Sequence, residues 1–148
     1  MELLNEFVPY SEALELKELG FNEPCFGYYN NKGDLTFNTN NNPVSKDWVW
    51  YGNELLPTDM VLAPTFSKAF RWFREKHLLE GLCLPQDRSA LSPLPIYYIG
   101  IISYRDEKWI ELFNSSDDTD IKNFLHYFTY EEAELACLRK LIEIVKTK

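Results

Sequence analysis

The stretch Ala63–Gly81, APTFSKAFRWFREKHLLEG, carries the strongest buried-helix pattern in the chain, and the rest of the predicted fold is arranged around it. Pro64 restricts the residue before it and Thr65 is a favourable N-cap, so the stretch predicts a helix from residue 66 to about residue 79. Gly81, just beyond, predicts the point where that helix stops.

The helical projection of this stretch separates an apolar face from a basic one. The residues predicted to face the core are Phe66, Ala69, Phe70, Phe73 and His77. The other arcs carry the candidate interaction surface, which comprises Lys68, Arg71, Trp72, Arg74 and Lys76. Trp72 lies one step from the apolar face and is predicted to be only partly buried. The favoured interpretation is a solvated face that balances an acidic N-terminal helix; the alternative is a protein-binding surface, since Trp and Arg are enriched at binding hot spots.

Length and composition favour a single α+β domain over residues 1–148. The chain is 45% hydrophobic and contains 10 Phe, 9 Tyr and 4 Trp, enough large side chains to fill a core between a sheet and helices. The formal net charge of -8 opposes binding to polyanions, so no direct nucleic-acid binding is expected.

Cysteine usage and the amino terminus predict a soluble cytoplasmic protein. Cys25, Cys83 and Cys137 are widely spaced, with no Cys-x-x-Cys pair, which disfavours a disulfide framework or a zinc site. The start MELLNEFVPY lacks a basic segment followed by an apolar run, and no stretch is apolar for long enough to span a bilayer. No membrane association is expected.

The first half of the chain predicts a helix followed by a hairpin. Pro9–Leu19 has the helical pattern, with Glu12, Glu15 and Glu18 pointing outward and a Schellman stop at Gly20 and Phe21. Two short strands with a turn at Gly33 follow, and Phe26 and Tyr28 share one side of the first strand. The asparagine-rich run over 38–42 predicts a loop, and short strands are weakly indicated near residues 48–51 and 60–62.

The second half predicts a second hairpin and a closing helix. Residues 82–95 contain three prolines and predict a surface loop. Ile96–Arg105 is the most strand-like run and is expected in the centre of the sheet, with Trp109–Phe113 as its partner. Thr129 is predicted to cap the last helix, with Glu132 completing a capping box and Phe128 available as a hydrophobic staple.

These elements predict the order α-ββ-α-ββ-α, with an antiparallel sheet of about four strands built from two hairpins and three helices packed mainly on one face. An aromatic residue followed three places later by Ala begins each helix, and Thr precedes the aromatic in the last two. Shared capping chemistry explains this echo better than an internal repeat.

No catalytic, cofactor-binding or metal-binding residue is predicted. Cys25 is the best-placed thiol, but its spacing from His77 and His126 matches no known nucleophile signature. Two histidines are too few for a metal site, and the acidic run over 117–120 lacks the glycine and closing glutamate of a calcium loop. The six glycines are scattered singly, which disfavours a phosphate-binding loop and nucleotide cofactors.

Three segments resemble a group of small uncharacterised proteins encoded by gut bacteria and their phages. They are APTFSKAFRWFREK, ELGFNEPCFGYY and TYEEAELACLRKLIEIVK. The resemblance implies a phage or mobile-element accessory role and brings no active-site residue with it. The leading hypothesis is a non-enzymatic protein that acts through protein contacts. Its partners include other proteins and, in a homo-oligomer, further copies of the same chain. The alternatives are a small enzyme with an unrecognised site and an acidic protein that blocks a nucleic-acid-binding surface of a host factor.

Overall fold

The computed structural model of the protein describes residues 3–37, 60–86, 96–111, 127 and 129–148. The chain divides into two compact units, Met1–Trp72 and Phe73–Lys148. Each unit combines helical segments with an antiparallel sheet, so the predicted α+β class is confirmed. The strands of the described residues form two three-stranded sheets, where the sequence predicted one sheet of about four strands. The single domain over 1–148 stays a prediction.

The described residues of the first unit form one short 3-10 turn, two helices and three strands. These are the turn Leu3–Glu6, α1 (Tyr10–Glu18), β1 (Gly27–Tyr29), β2 (Leu35–Phe37), β3 (Val61–Ala63) and α2 (Phe66–Trp72). The sheet order is β2-β1-β3, and both pairings of β1 are antiparallel.

Helix α1 ends as the sequence predicts. The amide of Gly20 donates to the carbonyl of Lys17 and the amide of Phe21 donates to that of Leu16, which is the Schellman pattern. Gly20 has a φ of 96°, a left-handed value that glycine adopts without steric cost. The outward placement of Glu12 was wrong. Glu12 is 4% exposed, accepts a hydrogen bond from the Ser11 hydroxyl at 2.6 Å and lies in the first turn, where the helix dipole favours a carboxylate.

The predicted hairpin of β1 and β2 is present, and its buried side on β1 is that of Gly27 and Tyr29. Gly33 has a φ of 82° in the turn, as predicted. Tyr29 is buried and pairs with Leu35, whereas Phe26 is 45% exposed and Tyr28 is only half-buried. The Tyr29 side faces inward because its hydroxyl donates to the carbonyl oxygen of Val8 at 2.5 Å.

Strand β3 lies in the core of the first unit, and its three residues are buried. The chain before α1 pairs with the residues that follow β3: the amide of Val8 donates to the carbonyl of Pro64 at 2.9 Å, and Phe7 forms a bridge with Thr65. This pairing ties the amino-terminal segment to the sheet. The strand weakly indicated near residues 60–62 is present as β3, one residue later in the sequence.

Helix α2 begins as predicted. The hydroxyl of Thr65 accepts from the amide of Lys68 at 3.3 Å, which is the N-cap bond. Its buried residues are Phe66, Ala69 and Trp72, which are spaced three residues apart.

Within the second unit, the described residues form a π-helical turn, three strands and a helix. These are the turn Phe73–His77, β4 (Leu79–Gln86), β5 (Ile96–Ser103), β6 (Lys108–Glu111) and α3 (Tyr130–Lys146). The order β4-β5-β6 puts β5 in the centre with antiparallel neighbours, as predicted for the run from Ile96.

Three sequence predictions about residues 66–95 were wrong. The α-helix does not run to residue 79: α-helical structure ends at Trp72, the π turn ends at His77, and Leu78 takes a left-handed φ of 56°. Gly81 is not a helix stop, because it lies in β4 and pairs with Ile101. The loop predicted to begin at residue 82 is strand as far as Gln86, since pairing with β5 outweighs the local signals of glycine and proline.

Helix α3 packs against β4 and β5. Thr129 caps it, as predicted, with its hydroxyl accepting from the amide of Glu132 at 3.1 Å. Its buried face consists of Ala133, Cys137, Leu138, Leu141 and Ile142. Cys137, placed at the edge of this face by the sequence pattern, is fully buried.

The predictions for residues 38–59, 87–95, 112–126 and 128, including His126 and the acidic run, lie outside the described residues. Among the helices that the structure describes, none combines the length and apolar character needed to cross a membrane.

Candidate interaction surface

Trp72, the aromatic residue of the basic surface predicted on residues 68–76, does not lie at the surface. Trp72 is 5% exposed, and its ring packs edge-to-face on Phe21 with centroids 5.5 Å apart. The prediction that Trp72 is only partly buried was therefore wrong. The prediction was made from a helical projection of residues 66–79, which does not contain Phe21. Phe21 follows the end of α1 and packs on Trp72. Trp72 is a core residue of the first unit.

The four cations of the predicted surface belong to different units. Lys68, which is half-buried, and Arg71, which is exposed, lie in α2 of the first unit. Arg74 and Lys76 are exposed and lie in the π turn of the second unit. The sequence therefore found exposed cations, but not the hydrophobic group that an interface needs beside them.

The second unit supplies such a group at Leu78. Its side chain is 42% exposed, and its backbone has a positive φ of 56°. Leu78 occupies the position after a helical turn where glycine is the usual residue. Its carbonyl accepts from the amide of Tyr104 at 2.9 Å, which extends the pairing of β4 with β5 by one residue.

A polar network holds Tyr104 next to Leu78. The Tyr104 hydroxyl donates to Oε2 of Glu80 at 3.2 Å, and Oε1 of Glu80 accepts from Nη1 of Arg74 at 3.1 Å. The negative charge of Glu80 raises the pKa of Tyr104 above 10.0, so the phenol remains a hydrogen-bond donor at neutral pH. Tyr104 is 50% exposed. We call Arg74, Leu78, Glu80 and Tyr104 the Leu78–Tyr104 surface.

Two further cations lie beside these residues in the sequence. Lys76 precedes Leu78 by two positions and Arg105 follows Tyr104, and both are exposed. Glu80 already holds Arg74 in an ion pair. Exposed acids, Glu75, Asp106 and Glu107, are interleaved with these cations, so the charges around the exposed leucine and tyrosine are of both signs. A polar surrounding of this kind beside apolar and aromatic side chains is typical of protein-binding sites.

His77, predicted as a core or helix-end residue, ends the π turn and is half-buried. Its ring lies 5.8 Å from that of Phe73, centroid to centroid. Burial lowers the pKa of His77 from 6.5, and the positive charges of Lys148 and Arg105 lower it further. The neutral form of His77 is therefore favoured, and its half-buried ring packs against Phe73 at the edge of the core.

This lowered pKa predicts a pH dependence of stability. The unfolded chain binds the proton first as the pH falls, so the stability that neutral His77 contributes is complete above pH 6.5 and is lost as the pH drops through the folded-state pKa. Urea unfolding between about pH 7.5 and about pH 5.5, above most carboxylate titrations, measures this slope. The slope should be smaller in His77→Gln. An equal slope in the variant would exclude His77 as its source.

Cys25 lies in an environment that disfavours its thiolate form. It is buried, its Sγ–H donates to the carbonyl of Glu23 at 3.3 Å, and burial raises the pKa of Cys25 to about 12. The nearby positive charge of Lys68 offsets only part of this effect. A reactive cysteine has a lowered pKa and some exposure, and Cys25 has neither.

The described ranges contain no group of three or more His, Cys, Asp or Glu residues arranged to hold a metal ion. Comparisons with protein-family models, with curated proteins and with solved structures find no match for this chain.

Sequence reasoning missed Leu78, Glu80 and Tyr104. No motif joins them, because Tyr104 reaches Glu80 and Leu78 only through the register of β4 on β5. One signal was available: Tyr104 and Arg105 end the most strand-like run of the chain, where an aromatic residue next to a cation projects into solvent.

Proposed function

We propose that this protein acts by binding another protein through the Leu78–Tyr104 surface, without catalysing a reaction. The observation that carries the proposal is Leu78, an exposed leucine on a left-handed backbone. A non-glycine residue in this conformation costs roughly 1–2 kcal/mol, and exposing an apolar side chain gives no compensation within the chain. Backbone strain of this kind is concentrated at functional sites.

The surroundings of Leu78 suit recognition of a protein. Tyrosine and arginine are typical hot-spot residues, and Glu80 holds Tyr104 and Arg74 in place through hydrogen bonds from both. Side chains that are ordered before binding lose less conformational entropy when the complex forms. The expected partner surface has an apolar pocket for Leu78 and carboxylates facing Lys76 and Arg105.

The pKa of Cys25 argues against the enzyme hypothesis for the best thiol of the first unit, since a thiol with a pKa of about 12 is protonated at neutral pH. A role as an accessory protein of a phage or mobile element, proposed from the sequence resemblance, is compatible with protein binding. The hypothesis of an acidic protein that blocks a host factor's nucleic-acid-binding surface is a special case of protein binding.

Affinity capture from native host cells with three baits tests the proposal. The wild-type chain is expected to retain a specific partner. Leu78→Gly removes the apolar side chain and relieves the left-handed strain, so it should fold with a melting temperature within a few degrees of wild type and bind about tenfold or more weakly. Arg71→Glu, on α2 of the first unit, is the matched control and should keep the partner.

Two results would overturn the proposal. One is a partner retained by Leu78→Gly and lost by Arg71→Glu, which would return the site to the predicted basic face of α2. The other is equal capture by all three baits. Light scattering on the same proteins identifies self-association as the form of binding, because a homodimer through this surface would dissociate in Leu78→Gly.

A further inference from the structure

Two cysteines of the second unit meet where α3 packs on β4. Cys137 in α3 is fully buried, and Cys83 in β4 is half-buried. The Sγ–H of Cys137 lies 3.9 Å from the carbonyl oxygen of Leu82, the residue that precedes Cys83. The neighbouring Cys83 side chain also contributes to raising the pKa of Cys137. Both thiols are reduced in the structure.

The sheet register places these two thiols on the same side independently of the contact between Cys137 and Leu82. Cys83 and Pro85 point to one face of β4, because side chains alternate along a strand, and Pro85 pairs with Tyr97 of β5. Tyr97 packs edge-to-face on Tyr130 of α3 with ring centroids 5.8 Å apart. Tyr130 and Cys137 are seven residues apart and share a helix face. The helix face that places Tyr130 against Tyr97 therefore also places Cys137 on the side of β4 that bears Cys83.

We propose that Cys83 and Cys137 are a redox-modification site, at which a peroxide converts the two thiols into a reversible disulfide that fastens α3 to β4. Such a bond would hold the helix on the sheet when the surroundings are oxidising and release it when a thiol reductant is present.

The reaction balances with hydrogen peroxide as the oxidant. The sulfur of Cys83, the half-buried cysteine of the pair, attacks one peroxide oxygen and becomes a sulfenic acid, and water leaves. The Cys137 sulfur then attacks the Cys83 sulfur, its proton passes to the departing hydroxyl, and a second water leaves. Two thiols and one peroxide thus give one disulfide and two waters, with one electron lost by each sulfur. The neighbouring Cys83 side chain and burial raise the pKa of Cys137, and burial also shields its sulfur from peroxide, so the first step falls to Cys83.

The experiment exposes the reduced full-length chain to hydrogen peroxide, alkylates the remaining thiols after unfolding and maps the tryptic peptides. Cys83 and Cys137 fall in separate peptides, 77–88 and 123–139. The expected product is these two peptides joined, with a mass lower by two hydrogen atoms and restored to separate peptides by dithiothreitol. The oxidised chain should also melt several degrees higher than the reduced chain.

Three variants provide the controls. Cys25→Ser should leave the linkage intact, since Cys25 is buried in the first unit and its pKa is about 12. Cys83→Ser should abolish the linkage and leave Cys137 alkylated, and Cys137→Ala should leave a sulfenic acid on Cys83 that dimedone labels. The proposal fails if the linked peptide involves Cys25, or if wild type gives only separate oxidised peptides while dimedone labels Cys83 in Cys137→Ala.

Discussion

Replacing Trp72 with alanine is expected to destabilise the protein by about 3–5 kcal/mol, the cost of removing a large aromatic side chain from a core. Trp72 is 5% exposed and packs edge-to-face on Phe21. The loss combines the apolar area no longer buried, the cavity left behind and the lost ring contact. For a protein of ordinary stability, this is a large part of the total free energy of unfolding.

The neighbouring residue provides the control for Trp72→Ala. Arg71 is exposed on the same helix, so Arg71→Ala should change the free energy of unfolding by less than about 0.5 kcal/mol. Urea denaturation followed by circular dichroism measures both changes. A small effect of Trp72→Ala, comparable with that of Arg71→Ala, would show that Trp72 is a surface residue as the helical projection predicted.

The second large effect is expected at Leu138 in α3. Leu138 is fully buried, and Leu138→Ala should cost about 2–5 kcal/mol because it removes apolar contacts and leaves a cavity where α3 packs on β4 and β5. Leu135 lies three residues earlier in the same helix and is only half-buried. The same substitution there removes the same atoms from the same helix with less burial.

Leu135→Ala is therefore expected to cost clearly less than Leu138→Ala. The comparison cancels helix propensity, since both positions lie inside α3 and both exchange Leu for Ala. Thermal or urea unfolding of the two variants measures the difference. Equal costs, or a larger cost at Leu135, would mean that α3 presents a different face to the sheet.

Local signals predicted the helix boundaries well where the bonds connect residues close in sequence. Thr65 and Thr129 both cap helices through the amide three residues later, and Gly20 takes the left-handed conformation of a Schellman stop. Each such bond depends on the chemistry of a few consecutive residues, so the sequence pattern contains all of its determinants.

Features that depend on a distant segment were missed. Trp72 is buried because Phe21 packs on it, and Glu12 is buried although a helical projection placed it outward. The run from Leu79 to Gln86 is a strand because β5 pairs with its whole length, which overrides Gly81 and Pro85 as breakers. These outcomes are set by tertiary contacts that a single-segment pattern does not contain.

The same reason explains why the candidate surface moved. The sequence identified exposed cations on residues 68–76, and Arg74 is one of them. The apolar and aromatic members, Leu78 and Tyr104, come together through a hydrogen bond that continues the β4–β5 ladder. A functional surface assembled by strand register is visible only after the register is known.

The central claim, that the protein binds its partner through the Leu78–Tyr104 surface, is tested most directly by site-specific photo-crosslinking in native host cells. A photoreactive phenylalanine analogue is placed at Tyr104 in one chain and at Arg71 in another. Both positions are exposed, so each analogue can be accommodated without repacking the core. The account predicts a discrete crosslinked partner from position 104 and none from position 71. A partner captured from position 71 and not from position 104 would contradict it.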